Sequence, residues 1–187
     1  MHKEQQDFCL YVKKLYPDHF ENKIVLDIGS LDINGNNRFL FRDCTYIGID
    51  VGEGKNVDIV MPGHKYDDRD ESIDLVISTE CFEHDMYWDK TIANSIRLLK
   101  PGGMLLFSCA APGRAEHGTR RTSPHNSPLT QVDEDWADYY KNLGEKDIRE
   151  KFDLDEIFSK YEIKEVHDIR IPWSYNINDL YFYGIKK

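Results

Sequence analysis

Lys23-Ile24-Val25-Leu26-Asp27-Ile28-Gly29-Ser30 is the stretch whose reading decides the fold. A short apolar burst closed by an acid and a glycine turn is the pattern of a parallel strand buried on both faces. Tyr46-Ile47-Gly48-Ile49-Asp50-Val51 repeats it and again ends at an acid. Further along, Val57–Val60 reads as a weaker third strand, Ile73–Ser78 as a fourth and Gly103–Ser108 as a fifth. Two late strands, about Tyr161–Ile171 and Asp179–Lys187, close the chain. Before the first strand, Phe8, Tyr11, Val12, Leu15 and Tyr16 recur at helical spacing from Lys3 to Tyr16, where Pro17 and Asp18 stop them. Trp88, Ile92, Ile96 and Leu99 make a helix between strands four and five, ended by Lys100-Pro101-Gly102-Gly103. Helical patterns resume at Trp136, Tyr139, Tyr140 and Leu143, and again from Ile148 through Phe152, Leu154, Ile157 and Phe158. Alternating strands and helices imply βαβ units, hence an α/β fold with a mostly parallel sheet covered on both faces.

The bulk properties fit one domain over 1–187, with an N-terminal helical region at 1–22 and a lid or acceptor loop at 111–132. The chain has 187 residues, 40% hydrophobic and 31% charged, which sets it apart from disordered sequences. No apolar run approaches membrane-spanning length, and the N-terminus lacks a signal-like core, so a cytoplasmic protein without membrane contact is expected. Cys9, Cys44, Cys81 and Cys109 are scattered without a CxxC pair and read as reduced thiols. The net charge of −10 disfavours extended nucleic-acid binding. Basic residues cluster once, as Arg114, Arg120 and Arg121 within 113–125, enough for one small anion. Oligomeric state is not legible.

Ligands of parallel sheets sit beyond the carboxyl ends of the strands. Gly29 allows close backbone approach, and Asp27 can accept hydrogen bonds from a cationic group. Asp50, about 20 residues later, suits a carboxylate that grips the hydroxyls of a ribose. Together the two tips argue for an adenosine-containing ligand.

The order VLDIGS, YIGID, VDIVMPGHKYDDRDESIDLVISTECFEH and IRLLKPGGMLLFS resembles the class I S-adenosylmethionine-dependent methyltransferases, particularly the small branch acting on metabolites and sugars. The resemblance spans Ile24 to Ser108 and implies a Rossmann-like three-layer sandwich, a seven-stranded sheet with its last strand antiparallel. It implies S-adenosylmethionine as methyl donor and S-adenosylhomocysteine as product. It places Asp27, Gly29 and Ser30 at the methionine end of the cofactor, Asp50 on the ribose and Val51 on the adenine face. Gly63 and His64 would border the adenine edge, with Thr79, Glu80 and Cys81 beneath the sulfonium. The chain departs from the family pattern twice. Leu31 and Asp32 interrupt the usual glycine-rich run, and Pro62 stands where an acid often meets the adenine amine.

Methyl transfer from a sulfonium rests on alignment, helped by deprotonation when the acceptor is a hydroxyl. Glu80, Glu83, His84 and His117 are the candidates for that chemistry, with Glu83, His84 and His117 preferred, although a Glu-His pair after the fourth strand often only shapes the site. Arg114, Arg120 and Arg121 suit an anionic or sugar-containing acceptor. Tyr139, with Trp136 and Tyr140, could wall a sugar ring, or belong to the core. No spacing among His84, Asp85, His117 and His125 supports a metal, so none is expected. Methylation of a small amine, and a non-catalytic binding relative, are the alternatives.

Overall fold

β1 (Ile24–Ile28) is the centre from which the sheet grows, because its alternate side chains feed two separate cores. The computed structural model describes residues 2–168 and 177–187. Val25 enters one core and Leu26 the other. Further out, β2 (Thr45–Asp50) and β3 (Ile59–Val60) follow parallel to β1 on one side. On the other side lie β4 (Ile73–Thr79) and β5 (Leu99–Ala110), also parallel. β6 (Phe158–Asp168) and β7 (Ile177–Lys186) complete the seven-stranded order β3-β2-β1-β4-β5-β7-β6. β7 runs antiparallel to both of its neighbours, as expected for the last strand. The expected end of the sixth strand, 169–171, lies outside the described residues.

The same period-two alternation splits β4 and β5. Leu75, Ile77, Met104 and Leu106 face α1 (Lys3–Leu15), which packs on them through Cys9 and Val12. Val76, Leu105 and Phe107 face α2 (Trp88–Leu98) and the later helices, α4 (Glu145–Lys151) and α5 (Leu154–Ile157), through Ile92, Leu98, Ile148 and Leu154. No described helix is long and apolar enough to cross a membrane.

Several segments differ from the periodicity reading: α2 passes at Leu98 straight into β5, and the run from Ile148 to Phe158 divides into α4, α5 and the start of β6. The connection from β1 to β2 carries only a single 3-10 turn, Arg38–Leu40, so the general βαβ pattern is not kept there. The turn formers Asp32, Gly35 and Asn36 supply the reason. Asp32 accepts the Gly35 amide at 2.8 Å and the Asn36 side chain at 2.9 Å, holding the chain in a turn. α3 stops at Glu134–Ala137, short of the expected run to Leu143, since Asp138 is drawn to Arg120 and Arg121. Finally, 111–132 is not featureless: it holds short 3-10 turns at Pro124–Asn126 and Pro128–Val132 and folds over the sheet.

Candidate active site

Sheet order reverses between β1 and β4, and a cavity of about 410 Å³ opens at the carboxyl ends of the strands there. Asp27, Gly29 and Ser30 from β1 and its turn, Asp50 and Val51 from β2, and Thr79, Glu80 and Cys81 from β4 all line it. The amides of Gly29 and Ser30 both donate to the Ile49 carbonyl, at 2.9 and 3.0 Å, which locks the first two tips together. Gly29 has φ +75°, and a side chain there would meet the Cys81 sulfur at 2.5 Å. Only glycine fits both the left-handed backbone and that close approach.

Asp27 is buried and accepts hydrogen bonds from the Tyr46 hydroxyl and, at 3.3 Å, the Asn37 amide. Burial, only partly offset by these donors, pushes its carboxyl up to about 7. The Asn37 amide also reaches the Thr79 hydroxyl at 3.2 Å, while its own buried oxygen finds no hydrogen-bond partner among the described residues. Ser30 is held structurally, its hydroxyl donating to the Asn56 carbonyl at 3.0 Å.

Beneath the cavity lies a charged network. Arg114 donates to the buried Asp179 at 2.6 Å and approaches Glu80 at 3.8 Å. His2 adds contacts of 3.5 Å to Glu80 and 3.4 Å to Asp179. Burial alone would raise the Glu80 carboxyl, but His2 and then Arg114 hold it below the usual range. Glu80 also adopts φ +54°, a strained left-handed conformation for a residue with a side chain.

At the other end, Glu83, His84 and His117 converge, each offering a ligating atom within 4.8 Å of the others. The carboxylate of Glu83 is fully buried, and neither oxygen has a hydrogen-bond partner among the described residues. Burial, reinforced by Glu80, raises its carboxyl well above the usual range. Burial, reinforced by the neighbouring His117, pushes His84 down to about 3, so its imidazole is neutral. The two imidazoles meet edge to face at 5.0 Å, and Tyr140 packs against both. Gly118, with φ +69°, lies so close that a side chain would meet His84 at 2.6 Å. The lid thereby clamps the ring in place.

Of the residues singled out from sequence, Arg114, His84 and His117 also line the cavity. Glu83 stands behind it. Arg120 and Arg121 lie outside, half-exposed and paired with Asp138 and Glu116. Tyr139 is likewise outside the lining. Gly63 packs under Thr91 and Ile28, and His64 against Tyr87 at 4.3 Å, so neither reaches the cavity wall. Sequence reading missed His2, Gln5 and Asn37, while residues 125–130 of the lining fall within the lid expected at 111–132. The Asn34-Gly35-Asn36-Asn37 cluster just after the first glycine was a visible signal for the third of these.

A family profile described as a methyltransferase domain matches residues 1–152. No curated protein sequence matches the chain significantly. Among solved structures, the 1,6-didemethyltoxoflavin-N1-methyltransferase of Burkholderia thailandensis, with 1,6-didemethyltoxoflavin and S-adenosylhomocysteine bound, superposes with a TM-score of 0.66 at 12% identity. That match covers 98% of this chain and 78% of the other. The phosphoethanolamine N-methyltransferase 2 of Haemonchus contortus, in complex with phosphomonomethylethanolamine and S-adenosylhomocysteine, gives 0.63 at 17% identity, over 98% of this chain but only 52% of its own length. At such identities these likenesses establish the fold.

Proposed function

This chain belongs to the methyltransferase-domain family, and we propose that it moves a methyl group from S-adenosylmethionine to a hydroxyl of a small, sugar-like acceptor. The observation that carries the reading is the shared tip of β1 and β2. Asp50 faces the cavity beside the close-approach glycine, Gly29, with Val51 next to it. A ribose on Asp50 leaves Val51 for the adenine face and the Asn37–Thr79 corner for the methionine end. The sulfonium then lies near the acids of the wall, which favour its positive charge.

The acceptor enters from the lid side, where His117 and His84 present neutral imidazoles. The His117 imidazole can take a hydroxyl proton as the new bond to carbon forms, whereas His84, held at about 3, is too weak a base and packs against His117. The placement of Arg120 and Arg121 removes support for a three-arginine clamp, so the reading narrows to an acceptor with at most one anionic group facing Arg114. One observation favours a second reading, a small amine. Asp27, Asp50, Glu80 and Asp85 line the cavity against the single guanidinium of Arg114, which suits a cationic acceptor.

Differential melting tests the donor half. S-adenosylmethionine at 100 times its dissociation constant should stabilise the protein by about 2.7 kcal/mol. No shift with either S-adenosylmethionine or S-adenosylhomocysteine would sink the reading. Methyl incorporation into a panel of sugars and small amines then separates the two acceptors.

A further inference from the structure

We infer that Glu83, His84 and His117 form a binding site for one divalent transition-metal ion at the acceptor end of the cavity. Each offers a ligand atom within 4.8 Å of the other two, and all three come from the turn after β4 and the lid that folds onto it. Proximity alone would mean little; the unsatisfied atoms point to a ligand. Both oxygens of Glu83 are buried without a hydrogen-bond partner among the described residues, and so is Nδ1 of His84. A buried carboxyl group whose oxygens lack hydrogen-bond partners is costly, and a cation that binds its deprotonated form supplies the missing partner.

The third residue is already oriented for the task. Nδ1 of His117 lies 3.1 Å from the carbonyl of Ala115. A carbonyl can only accept, so Nδ1 carries the proton and the lone pair sits on Nε2, the atom 4.0 Å from Glu83. An imidazole whose far nitrogen is tied to a carbonyl is the usual arrangement of a histidine metal ligand. Ligands at about 2.1 Å from a tetrahedral ion stand about 3.4 Å apart, so modest side-chain rotation of His117 in the lid closes the site.

Two imidazoles and one carboxylate suit zinc, manganese or cobalt better than magnesium, which prefers an all-oxygen shell. His84 and His117 both border the cavity, leaving coordination positions open towards it, as in sites that bind a substrate oxygen. The neighbouring cluster of His2, Glu80 and Asp179 is a poorer candidate, because the Arg114 guanidinium already balances its charge. Resting on the methyltransferase reading, the ion would bind the acceptor hydroxyl and lower its pKa so that its proton passes to solvent; with the ion bound, His84 and His117 serve as ligands and not as the base. Binding of the ion itself does not depend on that reading.

The test is titration of the chelator-treated protein with Co²⁺ and Zn²⁺, followed by calorimetry and visible absorption. One ion per chain is expected, with a cobalt d–d band that zinc abolishes. Glu83→Gln and His117→Ala should each weaken binding about tenfold or more, with circular dichroism confirming the fold. His117 lies in the lid, so its variant remains informative if Glu83→Gln fails to fold. Absence of stoichiometric binding overturns the proposal, as does binding that survives His117→Ala or is lost instead in His2→Ala. The S-adenosylmethionine melting shift, measured on the same metal-free samples, reports the donor reading separately.

Discussion

One carboxylate oxygen of Asp50 accepts the Leu31 amide at 3.1 Å, and the other accepts the Val51 amide at 2.7 Å. The acid that ends the second strand is therefore fastened to the turn that ends the first. Each oxygen keeps a further lone pair, which leaves a pre-oriented acceptor for a vicinal diol. The interrupted glycine run does not spoil this turn. Leu31 supplies its backbone, and Asp32 ties the following loop through Gly35, Asn36 and a 2.7 Å pair with Lys55.

Asp50→Ala should erase the melting shift produced by S-adenosylmethionine. It should also lower intrinsic stability by about 1 kcal/mol through the lost amide acceptor. A variant that keeps the full cofactor shift in differential scanning fluorimetry would rule out the ribose assignment.

Gly29→Ala should be destabilising by roughly 1–3 kcal/mol, since it adds left-handed strain and a clash with the Cys81 sulfur. Combining it with Cys81→Gly, which removes both the sulfur and the Cβ that lies 2.6 Å away, should return part of that loss, because the two sites share one space. Additive losses in chemical denaturation would show that the contact is not the cause.

Asp27 makes stability depend on pH. Burial raises its folded-state carboxyl to about 7, above the unfolded value of about 3.9. The folded protein thus holds an extra proton between those values, and stability falls as pH rises across that window, by up to about 1.4 kcal/mol per pH unit. Asp27→Asn should flatten that slope in urea melts at about pH 4.5 and about pH 6.5. An unchanged slope would assign it to another group.

Arg114 and Asp179 should behave as a buried pair. Arg114→Ala leaves a fully buried carboxylate facing Glu80 and should cost about 3–5 kcal/mol, much of which Asp179→Asn should restore. Charge reversal at Arg120 and Arg121 should leave cofactor affinity unchanged and turnover close to wild type, as both pair with Asp138 outside the cavity. A large loss of turnover in the double variant would reinstate the anion clamp.

The sequence by itself determined the sheet and its two cavity-facing tips. Apolar strands ending in Asp27-Ile28-Gly29 and Ile49-Asp50 are local patterns, and parallel pairing of neighbouring strands brings such tips together without long-range information. The α2 helix was equally local, but not its end: it stops at Leu98, and Lys100-Pro101-Gly102-Gly103, read as its glycine stop, lies within β5. Only the tertiary structure decided which lid residues reach the cavity. Arg114 turns inward because Asp179, 65 positions away, waits there, whereas Arg120 and Arg121 turn outward to Asp138. Spacing along the chain carries no record of such partners, since charge pairing and burial are settled by what folding places nearby. The meeting of His117 with Glu83 and His84 is of the same kind: it exists because the lid closes on the turn after β4, a distance fixed in space and invisible in the sequence.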